Sequence, residues 1–100
     1  MIRTEIGHFY ITFENGCTLS IFNGYGSYSE NHFNTEHWQE IIKKGDIYSE
    51  WISETCEIAV FDKSGRFKTK EILNSNDSVI GHVSVNELIK YINVVKNYKE

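Results

Sequence analysis

The sequence predicts an α+β fold: an antiparallel sheet of two hairpins plus a short strand, packed against a C-terminal helix, with a short helix in the middle connection. Three observations carry this prediction. Residues 8–22 are two apolar-rich runs around Asn15-Gly16, the strongest short-range hairpin signal. Residues 56–61 are an apolar run that ends in the turn residues Asp62-Lys63-Ser64-Gly65. Ser84 and Glu87 form a capping box ahead of apolar residues at helical spacing.

The register of the first hairpin follows from its faces. A two-residue loop pairs Phe13 with Thr18 and Ile11 with Ser20, which mixes apolar and polar residues. A three-residue loop, Glu14-Asn15-Gly16 with Gly16 left-handed in a bulge, pairs Phe13 with Cys17, Ile11 with Leu19 and Phe9 with Ile21. Those six then share a core face, while Tyr10, Thr12, Thr18 and Ser20 share a wet one. Because a one-residue slip flips every side chain, the segregating register is preferred.

Residues 1–7 read as a lead-in that can join the first strand. Residues 23–33, Asn-Gly-Tyr-Gly-Ser-Tyr-Ser-Glu-Asn-His-Phe, have no apolar period and read as a loop. Tyr25, Tyr28 and Phe33 are unusual cargo there: they either fold back over the edge of the core or form a binding surface. Asn34 or Thr35 caps a helix that Gly45 stops, with acids at its start, lysines at its end, and Trp38, Ile41 and Ile42 as its buried stripe. Residues 46–55 fit either a helical turn or an irregular extended segment. Arg66–Leu73 reads as the return strand of the second hairpin, with Val60 opposite Phe67, Ile58 opposite Thr69 and Glu57 opposite Lys70. Residues 74–78 read as an exposed loop. Val79–Val83 reads as a fifth strand, in which Gly81 marks a bulge or a close backbone approach. Val85, Leu88, Ile89, Ile92 and Val95 or Lys96 supply the stripe of the last helix, and its tail from Lys96 frays.

One hundred residues make a single domain over 1–100, with room for one modest core. No apolar run reaches some 18 residues and the first seven lack a signal-peptide core, so the expected location is the cytoplasm, without a membrane partner. Cys17 and Cys56 fall on predicted strands and read as two buried reduced thiols. The net charge of −4 is uneven: residues 30–57 hold seven acids against two lysines, −5, and the remainder sums to +1. Such a balance argues against direct nucleic-acid binding, which favours a basic stripe. The acidic middle is either a solvated face or a surface offered to a basic partner.

Motifs for chemistry are sparse. Gly24-Tyr25-Gly26 lacks the third glycine and following helix of a phosphate loop. His8, His32, His37 and His82 show no metal spacing and read as surface histidines. No catalytic residue, metal or cofactor is expected, and with no cleft evident an enzyme is the less favoured class.

Four blocks resemble small phage- and prophage-encoded proteins: Phe13–Gly16, Phe22–Tyr28, Ser53–Asp62 and Val79–Ser84. Eight lysines against two arginines fit an AT-rich genome. The resemblance implies a non-enzymatic inhibitor of the anti-CRISPR type, docking on a host or defence-system protein such as a nucleic-acid-binding effector. The residues expected to carry partner binding are Tyr25, Tyr28, Phe33, Glu36 and Glu40, with Glu50 and Glu54 behind them. The alternative is a small-ligand or nucleotide-binding, conceivably hydrolytic, protein using Gly24-Tyr25-Gly26, His32 and His82. The chain is expected to be a monomer or an edge-paired homodimer.

Overall fold

Segregation of the hairpin faces decides the register, and the computed structural model, which describes residues 1–45 and 50–99, has the register that segregation requires. Strands β2 (His8–Thr12) and β3 (Thr18–Phe22) pair Phe9 with Ile21 and Ile11 with Leu19. Phe13 N–H donates to Cys17 O at 2.9 Å, Gly16 N–H donates to Phe13 O at 3.0 Å, and Gly16 has φ +87°. A side chain there would be strained, so glycine is required.

Residues 1–7 are more than a lead-in. They form a separate strand, β1 (Ile2–Glu5), paired antiparallel to β2. With β4 (Thr55–Phe61) and β5 (Ile80–Ser84) the sheet is antiparallel throughout, in the order β1-β2-β3-β4-β5. Among the described residues three helices complete the α+β fold: α1 (Thr35–Lys44) in the middle connection, α2 (Thr69–Leu73), and α3 (Val85–Lys96) at the C-terminal end.

Arg66–Leu73 is not a return strand, and the sheet reaches five strands through β1 instead. After a single bridge between Phe61 and Phe67 the chain leaves the sheet as α2. The edge of β4 that a return strand would need is held by β5, from Thr55 to Ile58. Beyond it, Lys68 N–H donates to Val60 O at 2.7 Å and the buried Thr69 Oγ1 accepts from Val60 N–H at 2.9 Å. With the ladder satisfied, Ile72 and Leu73 are free to pack on the core as a helical turn. Glu57 consequently pairs with Phe22 rather than Lys70.

The core lies on one face of the sheet, where Leu19, Ile58, Val60 and Val83 meet Ile72 of α2 and Val95 of α3. Helix α3 opens with the expected capping box: Ser84 Oγ accepts from Glu87 N–H, and the Glu87 carboxylate accepts from Ser84 N–H at 3.1 Å. Donations from the Ser84 amide and hydroxyl to that carboxylate hold the Glu87 carboxyl below its usual range, the amide contributing most. Its stripe is narrower than its periodicity suggests. Leu88, Tyr91, Ile92 and Val95 face the core, whereas Val85 and Ile89 are exposed.

The tail is held rather than frayed. Tyr98 packs against the core, and Asn15 Nδ2 in the hairpin turn donates to Val95 O at 2.8 Å and Tyr98 O at 3.0 Å. Asn15 Oδ1 meanwhile accepts from Cys17 N–H at 3.0 Å. One side chain therefore closes the turn and caps the last helix.

The second face is not simply wet, since Ser20 and Ala59 on it are buried. His8 stacks between Tyr10 (centroids 4.3 Å apart) and Phe22 (4.7 Å), its Nε2 is 2.6 Å from Ser20 Oγ, and Arg3 lies 4.0 Å over the Tyr10 ring.

Both thiols are buried in the core cluster. Cys17 adjoins Thr18, which pairs with Phe61, while Cys56 sits at the opposite end of β4. That puts them about 20 Å apart along the strands, against roughly 7 Å for a disulfide. Burial, with help from Glu57, pushes the Cys56 thiol up to about 11, so the unreactive reading stands for that residue.

Asn15→Asp keeps the turn and the acceptor for Cys17 N–H but points a carboxylate at two carbonyls. We expect a loss of about 1–2 kcal/mol in urea unfolding, more than for a surface Asn→Asp change; equal losses would remove Asn15 as the helix tether. Burial, the largest influence, also holds the His8 imidazolium below its usual range, with Glu5 opposing and Arg3 assisting. The unfolded chain then binds that proton more tightly, so stability falls as pH drops below about 6.5 and levels off once folded His8 protonates. His8→Gln should flatten the denaturation midpoint between roughly pH 7 and pH 5, and an unchanged slope would assign the dependence elsewhere.

Candidate functional site

At the end of the sheet where β3 finishes and β4 begins, three segments of the acidic middle come together: the loop 23–34, helix α1 and residues 50–54. Small polar side chains join them. Asn23 Nδ2 donates to Trp51 O at 3.0 Å and Ser53 Oγ at 3.1 Å; Asn31 Nδ2 donates to Asn23 O at 2.8 Å and Ile52 O at 3.1 Å. Ser27 Oγ donates to Gly24 O and lies 2.7 Å from Ser29 Oγ, which accepts from Asn31 N–H. The loop is therefore inverted relative to its composition: Ser27 is 0% exposed and Ser29 and Asn31 are buried, while its rings face outward.

Among those rings, Phe33 is 82% exposed, and Tyr28 and Tyr25 are exposed as well. They are held without being covered. Tyr25 stacks on Trp38 with centroids 5.9 Å apart, Tyr28 stacks on His32 at 5.2 Å, and Phe33 meets the His32 ring edge-on at 4.2 Å. His32 is fixed in turn, its Nδ1–H donating to Ser27 O at 2.9 Å. These rings do not fold back over the core.

Helix α1 begins and ends where its sequence signals say. Asn34 Oδ1 accepts from His37 N–H at 3.4 Å, and Gly45 closes the helix in the left-handed region. Its buried stripe shrinks to Ile41 and the half-buried Trp38, and Ile42 is exposed. Glu36 and Glu40, four residues apart, lie exposed along one face. Glu50 and Glu54 are also exposed: Glu50 O accepts from His37 Nε2–H at 2.6 Å, and Glu54 N–H donates to Glu30 Oε1 at 2.9 Å. All seven expected partner-binding residues thus lie within one lobe. Residues 50–54 adopt the irregular extended alternative, while Ile47 and Tyr48 lie outside the described residues.

Sequence reasoning missed the residues that dock this lobe on the sheet. Gly81 and His82 of β5 together face Glu57 of β4, an extra-residue bulge with His82 at φ 51°. His82 N–H consequently points outward and donates to Tyr28 O at 2.8 Å, while Glu57 Oε1 accepts from Tyr28 N–H at 3.2 Å. A Cβ on Gly81 would lie 2.7 Å from Tyr28 Cβ. The signal was Gly81 itself, read as a bulge or a close approach; both are present.

Three of the four histidines, His8, His32 and His37, are half-buried and hydrogen-bonded rather than free at the surface. Among the described residues no group of three His, Cys, Asp or Glu side chains is placed to hold a metal ion, and no helix is long and apolar enough to cross a membrane. Clefts do exist. A groove of about 620 Å³ is lined by Tyr28, Glu30, His32, Phe33 and His82, without Gly24, Tyr25 or Gly26. A second, apolar groove of about 540 Å³ runs between α3 and the β1–β2 side of the sheet, lined by Phe9, Ile11, Ile21, Trp51, Leu88 and Ile92.

No family model matches the chain, and no curated protein or solved structure matches it either.

Gly81→Ala should displace the Tyr28 segment while leaving the sheet paired. We expect amide exchange at Tyr28 and His82 to quicken by roughly tenfold, as for loss of a bond of about 1 kcal/mol. Unchanged exchange would mean that the contact yields without moving the loop.

Proposed function

We propose that this protein is a non-enzymatic binding module that docks its acidic, ring-bearing lobe on a basic surface of a protein partner and acts by occupying that surface. The observation that carries this reading is the inverted loop, in which buried serines and an asparagine hold three rings outward beside five carboxylates (Glu30, Glu36, Glu40, Glu50 and Glu54). Rings already ordered before binding cost little entropy on association, and aromatic anchors supply most of the energy in such interfaces. The carboxylates speed encounter with a basic surface and make association salt-sensitive. From the resemblance to phage-encoded proteins we take the partner to be a host defence protein whose basic surface handles nucleic acid, with inhibition of the anti-CRISPR type.

Nucleotide or small-ligand binding in the groove by His32 and His82 is the second reading. The Tyr28 and His32 rings already stack on each other, which takes one face of each from an incoming base. That favours the protein partner.

In a pull-down eluted by a salt gradient, Phe33→Ala and Tyr28→Ala should each lose the partner bound by the unaltered protein. The expected cost is about 2 kcal/mol of binding with no change in melting temperature. Glu36→Lys with Glu40→Lys should slow association and flatten its salt dependence. Loss of folding in the ring variants would make those rings structural. A melting-temperature rise with a millimolar nucleotide would move the assignment to the groove.

A further inference from the structure

The sheet has two edges, and they differ. On β5 the bulge turns the His82 amide onto Tyr28 O, so that edge is partly closed by the loop. On β1 all four residues are exposed. Met1 and Thr12 exchange both backbone hydrogen bonds, so by antiparallel alternation Arg3 and Glu5 bond inward to β2. The N–H and C=O groups of Ile2 and Thr4 therefore face outward, with no strand beside them among the described residues.

Exposed edges are commonly blunted by charge, and Arg3 and Glu5 could serve only that purpose. Their spacing argues for more. They are two residues apart, on one face, of opposite sign, and centred on an outward-bonding residue. Four antiparallel self-pairings bring outward groups face to face; centred on Ile2, the pairing sets Arg3 against the partner's Met1 and leaves Glu5 unpaired. Centred on Arg3, the pairing sets Arg3 against the partner's Arg3; centred on Glu5, it sets Glu5 against the partner's Glu5. Only the pairing centred on Thr4 sets Arg3 opposite the partner's Glu5 and Glu5 opposite the partner's Arg3. These would be non-hydrogen-bonded pairs, where side chains approach most closely.

We propose that β1 is a homodimer edge, pairing antiparallel about a two-fold axis at Thr4, with the reciprocal Arg3–Glu5 pairs fixing its register. The two sheets become one ten-stranded sheet, since each contributes five. The axis is perpendicular to the sheet, so both α3 helices lie on the same face. The two acidic lobes, each at the Glu5 end of β1, then point in opposite directions. The contact is short, so the dimer is weak and concentration-dependent. This inference does not rest on the identity or existence of another partner.

Sedimentation velocity over a wide concentration range tests it on the whole chain. The unaltered protein should shift from one chain mass towards two. Arg3→Glu and Glu5→Arg should each weaken association by roughly tenfold, because each turns two attractive pairs into two repulsive ones. The double variant Arg3→Glu/Glu5→Arg should recover it, since opposite charges again face each other. Thr4→Pro removes an outward N–H that the monomer does not use, and should leave the circular dichroism spectrum intact while abolishing association. A monomer at every concentration would overturn the proposal. So would single reversals without effect, or a double reversal that fails to recover while each variant remains folded.

Discussion

One amide side chain ties the last helix of the fold to the turn of its first core hairpin. Asn15 sits in the three-residue turn between β2 and β3, yet both hydrogens of its Nδ2 go to carbonyls at the C-terminal end of the chain's last helix and just past it, Val95 O and Tyr98 O. Carbonyls in the last turn of a helix lack the regular intrahelical partner, and here Val95 O, which also accepts from Tyr98 N–H, meets a second donor at the point where β2 and β3 join. The contact sets where α3 ends over the sheet, while the Ser84 capping box sets where it begins. Between these two fixed points Leu88, Tyr91, Ile92 and Val95 are brought down on the core.

A helix held in that position cannot cover everything. It is about 10 Å across, and strands lie about 4.8 Å apart, so it shields two or three of them. Helix α3 lies over the β3–β5 side, where Leu19, Ile58, Val60 and Val83 are buried, and α2 fills the remaining corner. Strands β1 and β2 overhang. Their apolar face becomes one wall of the open groove, which is why Phe9 and Ile11 are only half-buried and why Val85 at the groove's α3 side stays exposed.

What the sequence revealed and concealed divides along the range of the forces involved. The β2–β3 register, the Asn34 and Gly45 ends of α1 and the Ser84 cap are determined by residues within a few positions of each other, and all were legible. The return strand at Arg66–Leu73 was not, because its pairing required a free edge on β4 and that edge is taken by β5. The second role of Asn15 was hidden by its first: Asn-Gly is explained by the turn alone. In the lobe, the candidate residues could be named, but which of them face solvent could not. Composition marks Ser27, Ser29 and Asn31 as solvent-facing, and their burial follows only from backbone groups of Asn23, Gly24 and Ile52 that must be satisfied.

That requirement also accounts for the exposed rings. A twelve-residue loop without regular structure has backbone donors and acceptors that no ladder pairs, and burying them unpaired would be costly. Serine and asparagine side chains are small enough to enter and polar enough to satisfy them, so they fill the interior. Aromatic rings brought inside would displace those bonds for a gain in apolar burial that the missing hydrogen bonds would offset. The rings are therefore left outside, each resting on a neighbour: Tyr25 on Trp38, Tyr28 on His32, Phe33 against the edge of His32. Their exposure is a consequence of how the loop satisfies its own backbone, and the same bonds make the exposed surface an ordered one.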